Sequence, residues 1–287
     1  MAKQYHYLVA SLPNLVFEHE AKNFDLLQLK DFVNENISAA DSKKVEFLFS
    51  PIDIQNILNC KINKCQVFIE GGHYTREELK KELENPQTLP KKVIEYLQKY
   101  DAIERESNEG SDYSEDSYVC NPEIMLYELF YEMAETDSNK FIRQWFTFDR
   151  EMRNIQAAFV ARKLGDVKTE DYIVGKDDIT EQLLKSGASD FGLRRERDYI
   201  EKLWQALETD DLSERETKLA LLRCGYLHQT TASNSFDLDI ILAFLQKASI
   251  LIRLMMLVAE TGTALFVQLV SESQQLYNAA EAFGRSK

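Results

Sequence analysis

Residues 138–164 read SNKFIRQWFTFDREMRNIQAAFVARKL, and their spacing decides the fold class. Phe141, Trp145, Phe148 and Met152 recur every three to four positions. That is the repeat of one face of an α-helix, so the stripe reads as core packing rather than a cofactor box. The run is long enough for more than seven turns at about 3.6 residues each. Arg150, Arg153, Asn154, Arg162 and Lys163 stand on the same helix. Basic groups on an otherwise core-forming helix read equally well in two ways: as internal salt bridges to surrounding acids, or as a stripe that faces a protein partner.

The helical period extends in both directions. Ten glycines and five prolines are all that interrupt 287 residues. Helices are expected at Pro122–Glu135, Ser138–Leu164, Asp178–Lys185, Asp190–Glu208, Ser213–Gln229, Phe236–Glu260 and Thr261–Phe283, with Gly262 marking a break or kink near the last junction. Ser213-Glu214-Arg215-Glu216 and Thr75-Arg76-Glu77-Glu78 have the form of capping boxes. Ser50-Pro51-Ile52-Asp53 has a serine cap, a proline in the first turn and an acid beside it. Another helix opens at Pro90 and runs toward Glu106. Residues 1–12, Lys44–Ser50 and Lys64–Glu70 are β-branched or aromatic and read as short strands or buried extended pieces. The expected fold is mainly α, an elongated antiparallel helical bundle with a few short strands near the N-terminus. It divides into a mostly helical part at 1–103, an acidic linker at 104–120 and a long-helix bundle at 121–287, packed as one unit.

Charge narrows the function. Against 34 Lys and Arg stand 48 Asp and Glu, a net charge of −14. Such a surface repels phosphate backbones and anionic head groups, so neither nucleic acid nor direct lipid binding is expected. Glu104–Asp116 concentrates the acid among Ser and Gly, the mark of a solvated loop; its order of ligands does not fit a calcium loop. Hydrophobic residues make up 44% of the chain, enough for a real core. Leu238–Val258 carries Gln246 and the charges of Lys247 and Arg253 inside, with Asp239 at its edge; these disfavour a membrane span, and the segment reads as a buried helix. No signal-peptide pattern opens the chain and the cysteines are sparse, which suits a reducing cytoplasm.

Motifs for catalysis are weak. Asp190-Phe191-Gly192 spells a kinase magnesium motif, but no glycine-rich loop or His-Arg-Asp accompanies it; a helix start at Asp190 explains it better. Glu70-Gly71-Gly72-His73 lacks the rest of a P-loop and suits a turn before Thr75. Cys60 and Cys65 are too widely spaced for a zinc knuckle. Cys224 and His228, four apart, are a possible metal pair, with a half-buried helical face as the plainer alternative. No catalytic residue, cofactor or metal site is therefore assigned.

Three segments share a pattern with a known family. They are Tyr5-His6-Tyr7-Leu8-Val9-Ala10-Ser11-Leu12-Pro13, the stretch Asp149-Arg150-Glu151-Met152-Arg153-Asn154-Ile155 through Ala161-Arg162-Lys163, and Ile240–Lys247 through Ile252-Arg253. Together they resemble the central-stalk cap of V-type and archaeal-type ATP synthases, their C-type subunit. Ser11 and Leu12 depart from that pattern, standing where the stalk cap has an Arg. The whole chain, with its N-terminal Tyr-x-Tyr-Leu run and Ser189-Asp190-Phe191-Gly192-Leu193, resembles an uncharacterised bacterial family encoded among V-type ATP synthase genes. The resemblance implies a non-catalytic helical adaptor between the central stalk and the membrane rotor ring. It implies other V-type ATPase subunits as partners, and a cytoplasmic place peripheral to the inner membrane, held by protein contacts. Two alternatives remain open: an independent helical scaffold or regulator near that complex, and a metal-dependent enzyme using Cys224 and His228.

Overall fold

A computed structural model describes residues 4–12, 25–108, 121–165, 168–233 and 236–257. In chain order its helices are α1 (His6–Ser11), α2 (Leu26–Asn36), α3 (Ala39–Leu48), α4 (Ser50–Ile57), α5 (Arg76–Glu84) and α6 (Lys91–Asn108). Then come α7 (Pro122–Glu135), α8 (Lys140–Leu164), α9 (Asp178–Lys185), α10 (Ile200–Leu207), α11 (Leu212–Thr231) and α12 (Leu238–Leu257). The protein is mainly α-helical, and no strand occurs among the described residues.

The strands expected near the N-terminus are corrected accordingly. Residues 6–11 are helical, and Lys44–Ser50 lies in α3 and the start of α4. Val45, Leu48 and Phe49 are buried at helical spacing, so tertiary burial overrides the β-branched and aromatic composition of that run. Lys64–Glu70 forms neither helix nor strand.

Two compact units make up the chain. One is discontinuous and joins Met1–Val45 to Arg194–Lys287; the other is Glu46–Leu193. The linker expected at 104–120 falls within the sequence of the second unit. Its first residues continue α6 to Asn108, and 109–120 lie outside the described residues, as does the helix expected at 261–283.

In the discontinuous unit α11 packs on α12, with α10 on α11 and α2 on α12. Ile241, Leu242 and Leu245 of α12 are fully buried, which accounts for its apolar sequence. No helix among the described residues is long and apolar enough to cross a membrane. Tyr5 is fixed three ways: its hydroxyl donates to Asp41, accepts from the Ser38 amide at 3.2 Å, and its own amide donates to the Phe236 carbonyl at 2.5 Å. Helix α11 begins ahead of the expected Ser213 box, because the Asp211 carboxylate accepts from the Glu214 amide at 2.7 Å. An acidic cap upstream wins over serine.

In the second unit α7 packs on α8 through the short connection at 136–139. Phe130 and Phe146 meet edge to face at 4.7 Å, with Phe47 stacked on Phe130 at 5.5 Å. Such ring geometry contributes beyond its area. Asn121 caps α7 ahead of Pro122, and the Thr75–Glu78 capping box is complete. Ser50 is the first helical residue of α4 rather than its cap; Phe49 holds that position and makes no side-chain cap bond. The Asp190–Glu208 helix is shortened to start at Ile200. Phe191 (φ 54°) and Gly192 (φ 73°) are both left-handed, and a helix cannot run through such residues.

Helix α4 holds the irregular run after it. Asn56 accepts from the Ile69 amide and donates to the Ile69 carbonyl, both at 2.8 Å. Asp53 accepts from the His73 and Tyr74 amides at 3.0 and 3.3 Å. A β-carbon on Gly72 would stand 2.2 Å from Asp53 Oδ1, so the close approach requires glycine.

Candidate partner interface on the long helix

Helix α8 starts at Asn139, whose side chain accepts from the Ile142 amide, and stops at Gly165 (φ 81°). Between these caps the apolar stripe sinks Phe141, Trp145, Phe148, Met152 and Ile155 into the core. This orientation fixes where each polar residue of the helix points.

Asn154 is buried. It accepts from the Val174 amide at 2.9 Å and donates to the Val174 carbonyl at 2.7 Å. One side-chain amide thus replaces the pairing a β-neighbour would give that residue. Arg150, also buried, donates to Glu135 and, at 2.7 Å, to Asp177. Asp177 is the cap of α9, accepting from the Thr180 amide at 2.7 Å. Gly175 (φ 89°) brings the backbone to Arg150, where a β-carbon would sit 3.4 Å from the guanidinium. Asn154 and Arg150 therefore pin the 173–180 segment onto α8.

Arg153 donates to Glu123 at 2.6 Å and lies 4.0 Å over the Tyr127 ring. Beside it the Tyr131 hydroxyl donates to Asp149 at 2.8 Å. Burial, followed by the Asp149 charge, holds Tyr131 well above its ordinary pKa. Arg162 donates to the carbonyls of Ala188 and, at 2.8 Å, Ser186. Its guanidinium lies 3.7 Å over buried Phe191. The Asp-Phe-Gly tripeptide is thus a turn: Asp190 accepts from the Gly192 amide at 3.0 Å, and Arg162 covers its phenylalanine.

The stripe divides by direction. Arg150 and Asn154 are spent inside the unit, and Arg153 bridges to α7. Lys163 is exposed, and Val160 and Leu164 are exposed beside it, at 49% and 64%. Sequence spacing does not mark these two apolar residues, because they match the helical period as well as core residues do. Asp177, Gly175 and Phe191 meet partners on α8 that are distant in sequence, and so carry no local signal.

Cys224 is buried and His228 is exposed. Burial pushes the Cys224 thiol up to about 11, opposite to the direction a metal-bound thiolate needs. No group of three or more His, Cys, Asp or Glu suited to a metal ion exists among the described residues.

A family described as "Protein of unknown function (DUF2764)" matches residues 1–275, and the chain belongs to that family. No curated protein and no solved structure matches it.

Proposed function

We propose that this DUF2764 protein is a non-catalytic subunit or adaptor of a bacterial V/A-type rotary ATP synthase, linking the central stalk to the membrane rotor ring. The observation that carries the reading is the resemblance of three segments, in and around Tyr5–Pro13, Asp149–Lys163 and Ile240–Arg253, to the stalk-cap protein of such complexes. Two of these segments include long helices, α8 and α12, whose inward faces are buried. A torque-bearing link needs stiff elements of that kind. The exposed end of α8, with Val160, Lys163 and Leu164, is the face we assign to a protein partner. It joins apolar area to positive charge in a chain of net −14.

Purification of detergent-solubilised ATPase from a strain carrying a tagged chain tests the reading. Stoichiometric recovery of this protein with the rotor ring and stalk is expected. A deletion strain whose ring and stalk remain fully coupled overturns it. Transient, substoichiometric recovery favours a separate scaffold instead.

A further inference from the structure

We propose that the run Lys64–Glu70 is a self-association edge, which pairs antiparallel with the same run of a second copy about a twofold axis at Val67. The run reads Lys64-Cys65-Gln66-Val67-Phe68-Ile69-Glu70. From Cys65 to Ile69 it has no turn or bend, between a left-handed Lys64 (φ 50°) and a turn at Glu70. It is rich in residues that favour strands, yet no strand of this chain pairs with it among the described residues. Val67 is 60% exposed and Ile69 40%.

One edge of the run is used. The Cys65 amide donates to the Asn59 carbonyl at 2.9 Å, and both backbone groups of Ile69 are held by Asn56. In a straight run successive residues direct their backbone groups to alternate edges. The backbone groups of Cys65, Val67 and Ile69 therefore face α4 and the turn at 58–62 that follows it, and those of Gln66 and Phe68 face away. The Phe68 amide and carbonyl have no hydrogen bond among the described residues. Arg76 donates to the Gln66 carbonyl at 2.9 Å, which leaves that oxygen a second lone pair. An edge with open backbone groups is a template for another chain.

Charge selects the occupant. Lys64 and Glu70 lie three positions on either side of Val67. Antiparallel pairing about Val67 puts Gln66 opposite Phe68, and brings Lys64, just before the straight part of one copy, to the end where Glu70, just after that of the other, stands. The outward groups of Gln66 and Phe68 then exchange hydrogen bonds, and the two Val67 residues form the close, non-hydrogen-bonded pair. A parallel arrangement in register would set like charges together. Lys64 already pairs with Glu104 within its own chain, so the second carboxylate joins an existing ion pair.

Sedimentation of the full chain over a wide concentration series tests this. A weak dimer is expected, abolished by Phe68→Pro, which removes an outward-facing backbone donor. Glu70→Lys weakens it about tenfold by opposing like charges at both ends. The exchange Lys64→Glu with Glu70→Lys restores it. In a Cys65→Ser background, Val67→Cys crosslinks two chains on mild oxidation, since paired positions of this type stand within disulfide reach. Circular dichroism confirms that each variant is folded. A chain that stays monomeric at every concentration overturns the proposal, as does a dimer indifferent to the charge variants and not crosslinked through position 67. Neither result bears on the ATP synthase reading, which rests on other residues.

Discussion

Truncating Asn154 to alanine leaves the amide and carbonyl of Val174 buried without partners. The expected loss is about 3 kcal/mol, measured by urea unfolding. Asn56→Ala removes the same pairing from Ile69, but that run faces solvent and water replaces part of the bond. About 1 kcal/mol is expected there. The contrast tests whether burial, rather than the number of hydrogen bonds, sets the cost. Neither role is legible in the sequence. Asn154 stands out there only as an amide on a core helix, open to an internal and an external reading alike. Its partner lies 20 positions away, beyond any local pattern. Local chemistry is readable: the Thr75–Glu78 box and the proline of α7 act as their residue types dictate. The left-handed φ of Phe191 is not, since only glycine advertises that conformation.

At the scale of elements, α8 acts as a spine that arginines tie to its neighbours. Arg162 forks to the carbonyls of 186–189 while stacking on Phe191, and lysine cannot do both. Arg162→Lys and Arg162→Ala should each speed hydrogen exchange of the 186–192 amides about tenfold, with little change at α7. Helix α11 gives a pH test through Cys224. Its thiol is raised in the fold, from an ordinary 9.0 to about 11. The unfolded chain therefore loses that proton first, so stability from this group is full below pH 9 and falls as pH rises toward 11. Cys224→Ala should flatten that alkaline slope in urea titrations, by about 3 kcal/mol between the two limits. At neutral pH thiol reagents should label exposed Cys65 and spare Cys224 until the chain unfolds. Helix existence is legible because the 3.6-residue period persists across whole elements. Helix starts are less so, as at Asp211, where two capping residues compete within three positions.

For the molecule as a whole, the proposed assembly role rests on one exposed helix end. Val160→Asp with Lys163→Glu adds negative charge to a chain already at −14 and removes the apolar contact. It should leave stability within about 0.5 kcal/mol and abolish recovery with solubilised ATPase. Unchanged recovery would assign the contact to another surface. The mainly helical class is legible except in the runs at 1–12 and Lys44–Ser50, whose composition imitates strands; the division into units is not, because residues 1–45 and 194–287 come together only in three dimensions. That discontinuity has a consequence for synthesis. A ribosome releases Tyr5 long before Phe236, whose carbonyl it must meet, and α2 long before α12, against which it packs. The opening forty-five residues therefore wait, with Leu29 and Val33 uncovered, while 46–193 is made and closes on itself. Nascent chains of this protein expose their first segment for the whole interval, and that segment is where a ribosome-bound chaperone would be needed.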